Sequence, residues 1–253
     1  MEEIKFRVWD KTRKVMYKKE ILNESELSKD VISSLIDEAI RRDEQRRDEQ
    51  KRAGKFRVSS SGRCYHMRIW EKQGIPYSDP PSSRTLRVFA IGSALHDWIQ
   101  DRLQERHVLL LREFELEDEF RIGHIDAVVR SGSKLILYDF KTVHSKKFFY
   151  LSNEIDIQYF MQAYTYYLMQ KETLGLNISD VRICYISRDD MLLKEVSVLD
   201  MPTIDEMVKR DWNEILEVER GKTWVGPKMD WECDYCFYKT KCKNEIGNIY
   251  EIL

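Results

Sequence analysis

Two short apolar runs, GHIDAVV and LYDFKT, carry Asp126, Asp139 and Lys141. Two carboxylates and an amine at this spacing are groups that, with a divalent cation, can set a water to attack a phosphodiester. Alternate residues of a strand share a face, so Leu137, Asp139 and Lys141 are expected to project one way and Tyr138 and Phe140 the other. The same alternation puts His124 and Asp126 on one face of the preceding strand. A hairpin between the runs then brings Asp126 beside Asp139, within reach of one cation. Carboxylates that close repel unless a metal lies between them. Mg²⁺ or Mn²⁺ held there polarises a phosphodiester and lowers the pKa of a bound water, while Lys141 orients or deprotonates that water and counters phosphate charge. A lone D-x-K triplet is commonly an exposed pair on a sheet edge. Here Asp126 stands upstream in G-x-x-D, and LILYDF is too apolar for an ordinary edge strand, which leaves ionic groups at the end of a buried one.

His96, in IGSALHDWIQ, offers an imidazole as a third ligand, a donor that suits Mn²⁺ better than Mg²⁺. Gln162 and Tyr166 stand four apart in MQAYTYY and share a helix face from which to touch DNA or Lys141. His124 reads as a packing or substrate-contact residue. A second constellation is made of cysteines: Cys64 far upstream, then Cys233, Cys236 and Cys242 in C-x2-C-x5-C. Four thiolates suit either a four-cysteine zinc site or a [4Fe-4S] cluster. Zinc ribbons usually contribute two local pairs, so the one-plus-three split favours iron–sulfur. With all four ligands from protein, such a cluster is structural rather than redox-active. The fifth cysteine, Cys184 in VRICYIS, reads as a buried strand residue.

These groups need elements to hold them. IKFRVWD alternates as a strand does, an opening that resembles small phage-encoded proteins of the YopX type. A helical pattern follows from about Ser28 to Lys55 and includes RRDEQRRDEQKR, whose opposite charges are placed for i to i+4 pairing. It reads as a solvated helix or as an arm over DNA phosphates. SSSGRC caps a short helix that has Cys64 in its first turn and ends near Gly74. After the prolines at 76, 80 and 81, a helix is expected from about Ser83 to Glu105, with Leu86, Val88, Phe89, Leu95, Trp98, Ile99 and Leu103 as its apolar face. Strands VLLLREFEL, FRIGHIDAVV and KLILYDFKT follow, the last two joined by a turn at Ser131-Gly132-Ser133 and therefore antiparallel. A helix from about Glu154 to Lys171, the strands VRICYIS and LLKEVSV, and an amphipathic helix from about Thr203 to Arg220 complete an α/β chain with a mixed central sheet flanked by helices.

The chain has 253 residues, 42% of them hydrophobic and 11% aromatic, enough for a sizeable core. No run approaches the roughly 18 apolar residues of a membrane span, and MEEIKF begins no leader segment. A cytoplasmic protein is expected, where a C-x-x-C pair binds metal rather than forming a disulfide. The net charge of −2 gives no overall attraction for nucleic acid. Locally, Arg41 to Arg68 holds ten Lys or Arg against four Asp or Glu, a basic face in the N-terminal third.

Taken in order, His96, G-x-x-D at Gly123 to Asp126, D-x-K at Asp139 to Lys141, Q-x-x-x-Y at Gln162 to Tyr166 and the four cysteines resemble the RecB-type branch of PD-(D/E)xK nucleases. They are most similar to the cluster-bearing, CRISPR-associated exonuclease family called Cas four, which has many viral homologues. The resemblance covers about Ser59 to Lys243. It implies a restriction-endonuclease-like core, metal-dependent cleavage of single-stranded DNA or DNA ends, and a [4Fe-4S] cluster on Cys64, Cys233, Cys236 and Cys242 that joins the N- and C-terminal segments. It further implies Mn²⁺ or Mg²⁺ on His96, Asp126, Asp139 and the main-chain carbonyl of Phe140, with Lys141 as the catalytic lysine. A family glutamate upstream of G-x-x-D corresponds to Glu113 or to Glu115. The expected organisation is a strand and charged helix over 1–58, the nuclease core over 59–245 and a tail over 246–253, in a prokaryotic or virus-infected cell. Assembly with itself or with recombination or CRISPR proteins accords with the resemblance. Two other readings are a catalytically silent DNA-binding subunit, against which the intact Asp126, Asp139 and Lys141 argue, and a structure-specific endonuclease.

Overall fold

Period-two alternation after residue 108 and amphipathic stretches on either side of it set the architecture seen in the computed structural model, which describes residues 6–10, 15–19, 31–49, 54–151, 156–224 and 227–246. By its internal contacts the chain divides into two compact units, Met1–Arg46 and Arg47–Leu253. In the first, β1 (Phe6–Asp10) pairs antiparallel with β2 (Val15–Lys19). Helix α1 (Val31–Glu49) follows. Arg42 and Glu38 form an i to i+4 ion pair on it, whereas the side chains of the charged repeat from residue 43 onward, and with them the arm over phosphates, lie outside the described residues.

The second unit begins with β3 (Phe56–Arg57), upstream of residue 59, and a 3-10 turn, Val58–Ser60. Cys64 is the N-cap residue of α2 (Tyr65–Lys72) rather than a member of its first turn. Helix α3 (Ser83–Glu105) starts where Ser82 Oγ accepts a hydrogen bond from the Thr85 N–H at 3.2 Å. Then come β4 (Leu109–Glu117), β5 (Arg121–Ser131), β6 (Lys134–Val143), α4 (Ser145–Tyr150), α5 (Ile157–Thr173), β7 (Ile178–Ser187), β8 (Leu193–Ser197), α6 (Ile204–Glu219), a 3-10 helix (Asp230–Tyr235) and α7 (Lys239–Ile246). The β5–β6 turn is tighter than expected: Ser131 pairs with Lys134, leaving Gly132, at φ 61°, and Ser133 as the link. Glu154, the expected start of the following helix, lies outside the described residues.

Six strands form one mixed sheet: β4–β5, β5–β6 and β7–β8 are antiparallel, β3–β5 and β6–β7 parallel. One face packs on α5 and α6 through Ile125, Val128, Leu137, Ile183, Phe160, Met169 and Trp212. The other packs Ala127, Val129, Phe140 and Ile186 on Leu95, Ile99 and Leu103 of α3. Each fully buried side chain of this size stabilises the fold by about 1.5–3 kcal/mol. Two residues expected on the apolar face of α3, Phe89 and Trp98, are instead 47% and 50% exposed. The stripe Leu95, Ile99, Leu103, at i, i+4 and i+8, fills the sheet contact by itself and leaves them on the outer flanks.

One tie between α2 and α6 is ionic. Arg68 and Asp211 meet at 2.8 Å with side chains 0% and 1% exposed, the guanidinium carbon lies 4.4 Å from the Trp212 ring centroid, and Lys228 reaches the second oxygen of Asp211. No helix among the described residues is long and apolar enough to cross a membrane.

Candidate active site

The site arises where a ladder opens. β5 and β6 pair from Ser131↔Lys134 to Ala127↔Tyr138, and β3 takes the same edge of β5 at Arg121 and Ile122. Between the two partners lie Gly123 to Asp126, and Asp139 stands one residue beyond the last paired rung. The Phe140 N–H, which no longer faces a paired carbonyl, donates to Asp126 Oδ2 at 2.7 Å. Helix α5 fills the rest of the gap: the Tyr166 hydroxyl accepts from the His124 N–H at 3.3 Å, and its ring lies against Gly123. A methyl at Gly123 would sit 2.7 Å from Tyr166 Cε1. The G of G-x-x-D is therefore paired in space with the Y of Q-x-x-x-Y.

Asp139 and Lys141 share the α5 side of β6, as alternation requires. Lys141 Nζ lies 2.7 Å from Asp139 Oδ2 and donates to Gln162 Oε1 at 3.1 Å, while Gln162 Nε2 donates to Asp139 Oδ1 at 2.9 Å. Asp139 is 1% exposed. Burial works against the Lys141 ammonium, but the Asp139 and Asp126 carboxylates outweigh it and raise its pKa, so Lys141 holds its proton here.

On the α3 side a compact donor set forms. One ligand atom each from His96, Glu113 and Asp126 lies within 4.8 Å of the other two, a set with no equal among the described residues. His96 Nδ1 is 3.8 Å from Asp126 Oδ2, and the imidazole packs edge-on to the Phe140 ring, centroids 5.6 Å apart. On an octahedral ion with ligands at about 2.1 Å, cis ligands stand about 3 Å apart and trans ligands about 4.2 Å, so these three atoms draw closer together when they share one cation. Burial, then the neighbouring Asp139, holds the Asp126 carboxyl well above the usual carboxylate range, the state expected where a cation's charge is wanted. Burial, then Lys141, lowers the His96 pKa and keeps its ring neutral for ligation.

The compact set consists of His96, Glu113 and Asp126. Asp139 is engaged by Lys141 and Gln162 and stands close enough to Asp126 to raise its pKa. Of the two glutamates, Glu115 is 3.3 Å from His124 on the rim, whereas Glu113 belongs to the site and has a left-handed backbone, φ 43°. Phe140 contributes its N–H and its ring to the contacts around Asp126 and His96. Sequence reasoning missed Gln100, fully buried one turn beyond His96. Its Nε2 donates to Glu113 Oε1 at 2.6 Å and to the Asp126 carbonyl at 3.0 Å, and its Oε1 accepts from Arg112 Nε at 3.1 Å. The i to i+4 step from His96 was the available signal.

The four cysteines line one cavity of about 180 Å³. Cys64 reaches it from the start of α2, Cys233 from the 3-10 helix, Cys236 from its end and Cys242 from α7. Burial pushes the Cys64 thiol up to about 12 and the Cys242 thiol to about 11. Buried Glu232 ties the segments together, accepting from the Cys64 N–H at 3.1 Å and from the Lys228 and Met229 N–H groups at 2.8 and 3.1 Å. The thiols do not converge as a single-ion set. Cys184 is buried in β7, apart from them.

A family model for the PD-(D/E)XK nuclease superfamily matches residues 14–243. No curated protein matches the chain. Among solved structures, one described as "Crystal structure of SSO0001" aligns with a TM-score of 0.55 at 18% identity, covering 85% of this chain and 97% of that one, a likeness of fold.

Proposed function

The chain belongs to the PD-(D/E)XK nuclease superfamily, and from that membership we propose that it is a metal-dependent exonuclease of the RecB type, cutting DNA from its ends. The observation that carries this reading is the meeting, at one opened ladder, of the His96–Glu113–Asp126 donor set with the Asp139–Lys141–Gln162 group. Imidazole plus two carboxylates favours Mn²⁺, with Mg²⁺ as the alternative. A divalent cation there supplies Lewis-acid polarisation of the phosphate and a more acidic bound water. The chain's own contribution is positional. Asp126 is aimed by the Phe140 N–H, Glu113 by Gln100, and His96 by its packing on Phe140. In the metal-free site Lys141 keeps its proton at Nζ, the state in which it serves as donor and counter-charge to a phosphate oxygen. Gln162 holds that amine at a fixed place.

The cysteine cavity belongs to the same reading. A tetrahedral zinc site needs sulfurs about 3.8 Å apart, given Zn–S of about 2.3 Å, and these thiols are not gathered so closely. In a [4Fe-4S] cluster each thiolate binds a different iron, so the ligands stand further apart around a shared cavity. Such a cavity supports a structural cluster on Cys64, Cys233, Cys236 and Cys242 that closes α2 onto the C-terminal segment.

The test is cleavage by anaerobically purified protein of end-labelled linear DNA and of closed circular DNA, with Mn²⁺, Mg²⁺ or EDTA, after recording the visible spectrum. Metal-dependent shortening of linear DNA, with circles spared, is expected from a brown protein. Nicked circles would make it an endonuclease, and binding without cleavage under any cation would leave a silent DNA-binding subunit. A colourless, zinc-loaded protein would remove the cluster.

A further inference from the structure

Three separate segments meet at one carboxylate beside the cysteines. Glu232, 3% exposed and immediately before Cys233, accepts at Oε1 from the Cys64 N–H at 3.1 Å and from Gln158 Nε2 at 3.2 Å. At Oε2 it accepts from the Lys228 and Met229 N–H groups. A carboxylate has room for about four such donors, so the acceptor is filled. Of these bonds, the one to Gln158 leaves the cysteine segments and reaches α5. A second contact at the same turn repeats the tie. Gly62, two residues before Cys64 and at φ 74°, lies so close to α5 that an added methyl would stand 2.7 Å from Met161 Sδ and 3.7 Å from the Gln158 Cα. Helix α5 starts without a side-chain cap, so the contacts of Gln158 and Met161 help to seat its first turns.

That seat extends to the candidate catalytic centre. Gln158 and Gln162 stand four apart on one face of α5, about 6 Å along its axis. Gln162 bridges Lys141 Nζ and Asp139 Oδ1, and the ring of Tyr159, next to Gln158, has its centroid 5.0 Å from Lys141 Nζ. A helix moves as a body, so a displacement of its first turn is felt at the second. Every link from Cys64 through Glu232, Gln158 and Gln162 to Lys141 is a hydrogen bond or one helical turn.

We propose that Glu232 and Gln158 are positioning residues that couple the cysteine cavity to the catalytic lysine, so that filling the cavity sets where Gln162 holds Lys141. The coupling rests on the nuclease and cluster readings above. Thiolates fixed at Cys64 and Cys233 restrain the peptide units on either side of the Glu232 bonds, and through Gln158 the first turn of α5. An emptied cavity releases that restraint. Asp139 remains as a second anchor for Lys141, so the loss in turnover is partial.

The experiment compares wild type with Gln158→Leu, which removes the donor and keeps the volume, and Gln158→Lys, which returns a donor to Glu232. All are full chains purified anaerobically. Iron content and visible absorbance are read first, then kcat and KM on linear DNA with Mn²⁺. Backbone hydrogen exchange of residues 157–166 is then followed in EDTA, before and after ferricyanide strips the cluster. Expected for Gln158→Leu are wild-type iron, unchanged KM and kcat lowered about three- to tenfold, with Gln158→Lys restoring most of it. Stripping should speed exchange over 157–166 in wild type and add little in Gln158→Leu, where the link is already cut. Wild-type kcat and exchange in Gln158→Leu would overturn the coupling. So would a kcat loss that only tracks lost iron, or exchange that on stripping rises evenly over the whole chain, the mark of a merely structural cluster. Wild type that cuts no DNA removes the nuclease reading, and the exchange comparison still decides the coupling. An iron-free wild type removes the cluster reading, and exchange over 157–166 in Gln158→Leu then decides the relay by itself. Cleavage together with exchange indifferent to Gln158 and to iron keeps the nuclease and overturns the coupling.

Discussion

Carboxylate oxygens of Glu113 and Asp126 lie within 4.8 Å of each other, and Glu113 reaches that place from a backbone at φ 43°. Like charges and a left-handed glutamate each cost stability, and both persist because Gln100 holds Glu113 and the strand register fixes Asp126.

Glu113→Gln removes the like charge while keeping an acceptor for Gln100. Metal-free stability should rise by about 0.5–1 kcal/mol, a modest figure because Glu113 is exposed. The Mn²⁺-induced rise in melting temperature should largely vanish. Calorimetry with and without Mn²⁺ reads both, and an undiminished Mn²⁺ response would remove Glu113 from the ligand set.

Lys141→Ala should lower cleavage by on the order of 10²–10³-fold or more, the scale of losing a positioned charge donor. Gln162→Leu leaves that ammonium held by Asp139 alone and should cost less, about tenfold, with unchanged circular dichroism. Equal rates for Gln162→Leu and wild type would separate Gln162 from catalysis.

Gly123→Ala puts a methyl 2.7 Å from Cε1 and 2.8 Å from the hydroxyl of Tyr166, itself only 3% exposed. Overpacking of this kind costs about 1–3 kcal/mol, measurable by urea denaturation. The double variant with Tyr166→Leu should regain part of the loss; a neutral Gly123→Ala would show that the ring moves freely.

In metal-free protein, burial and Asp139 raise the Asp126 pKa above its ordinary 3.8. The folded state then binds that proton more tightly than the unfolded chain, so this group's contribution to stability falls as pH rises from 3.8 through the folded-state value. Mn²⁺ requires the carboxylate and displaces the proton, so stabilisation by Mn²⁺ should grow with pH across the same window. His96, lowered from 6.5, competes only below neutrality. At free Mn²⁺ 100 times Kd the gain is about 2.7 kcal/mol. Thermal shifts that are the same at pH 5 and pH 8 would contradict the assignment.

Asp211→Ala strands Arg68 and Lys228 in a buried site and should destabilise by about 3–5 kcal/mol, seen as a large drop in the denaturation midpoint. A drop below about 1 kcal/mol would mean that water reaches Arg68.

Local rules settled much of this chain. Helical periodicity bounded α3 at Ser83 and Glu105, and strand alternation set Asp139 and Lys141 on one side of β6, because both patterns repeat over a few residues and need no distant partner. Tertiary structure decided the rest. Glu113 and Glu115 are two apart on β4 and indistinguishable by alternation; a backbone conformation and a neighbouring strand separate them. Gly123 gains its meaning from Tyr166, 43 residues later, whose hydroxyl bonds the adjacent His124 N–H. The unzipped end of the β5–β6 ladder, which frees the Phe140 N–H for Asp126, depends on how far each strand runs beside the other. Sequence determined which chemical groups were present and which face of their element they occupied. Their convergence into a donor set beside the Asp139–Lys141 pair required the packing of α3 and α5 on opposite faces of one sheet, since contact between distant segments is fixed by register and core shape rather than by local pattern.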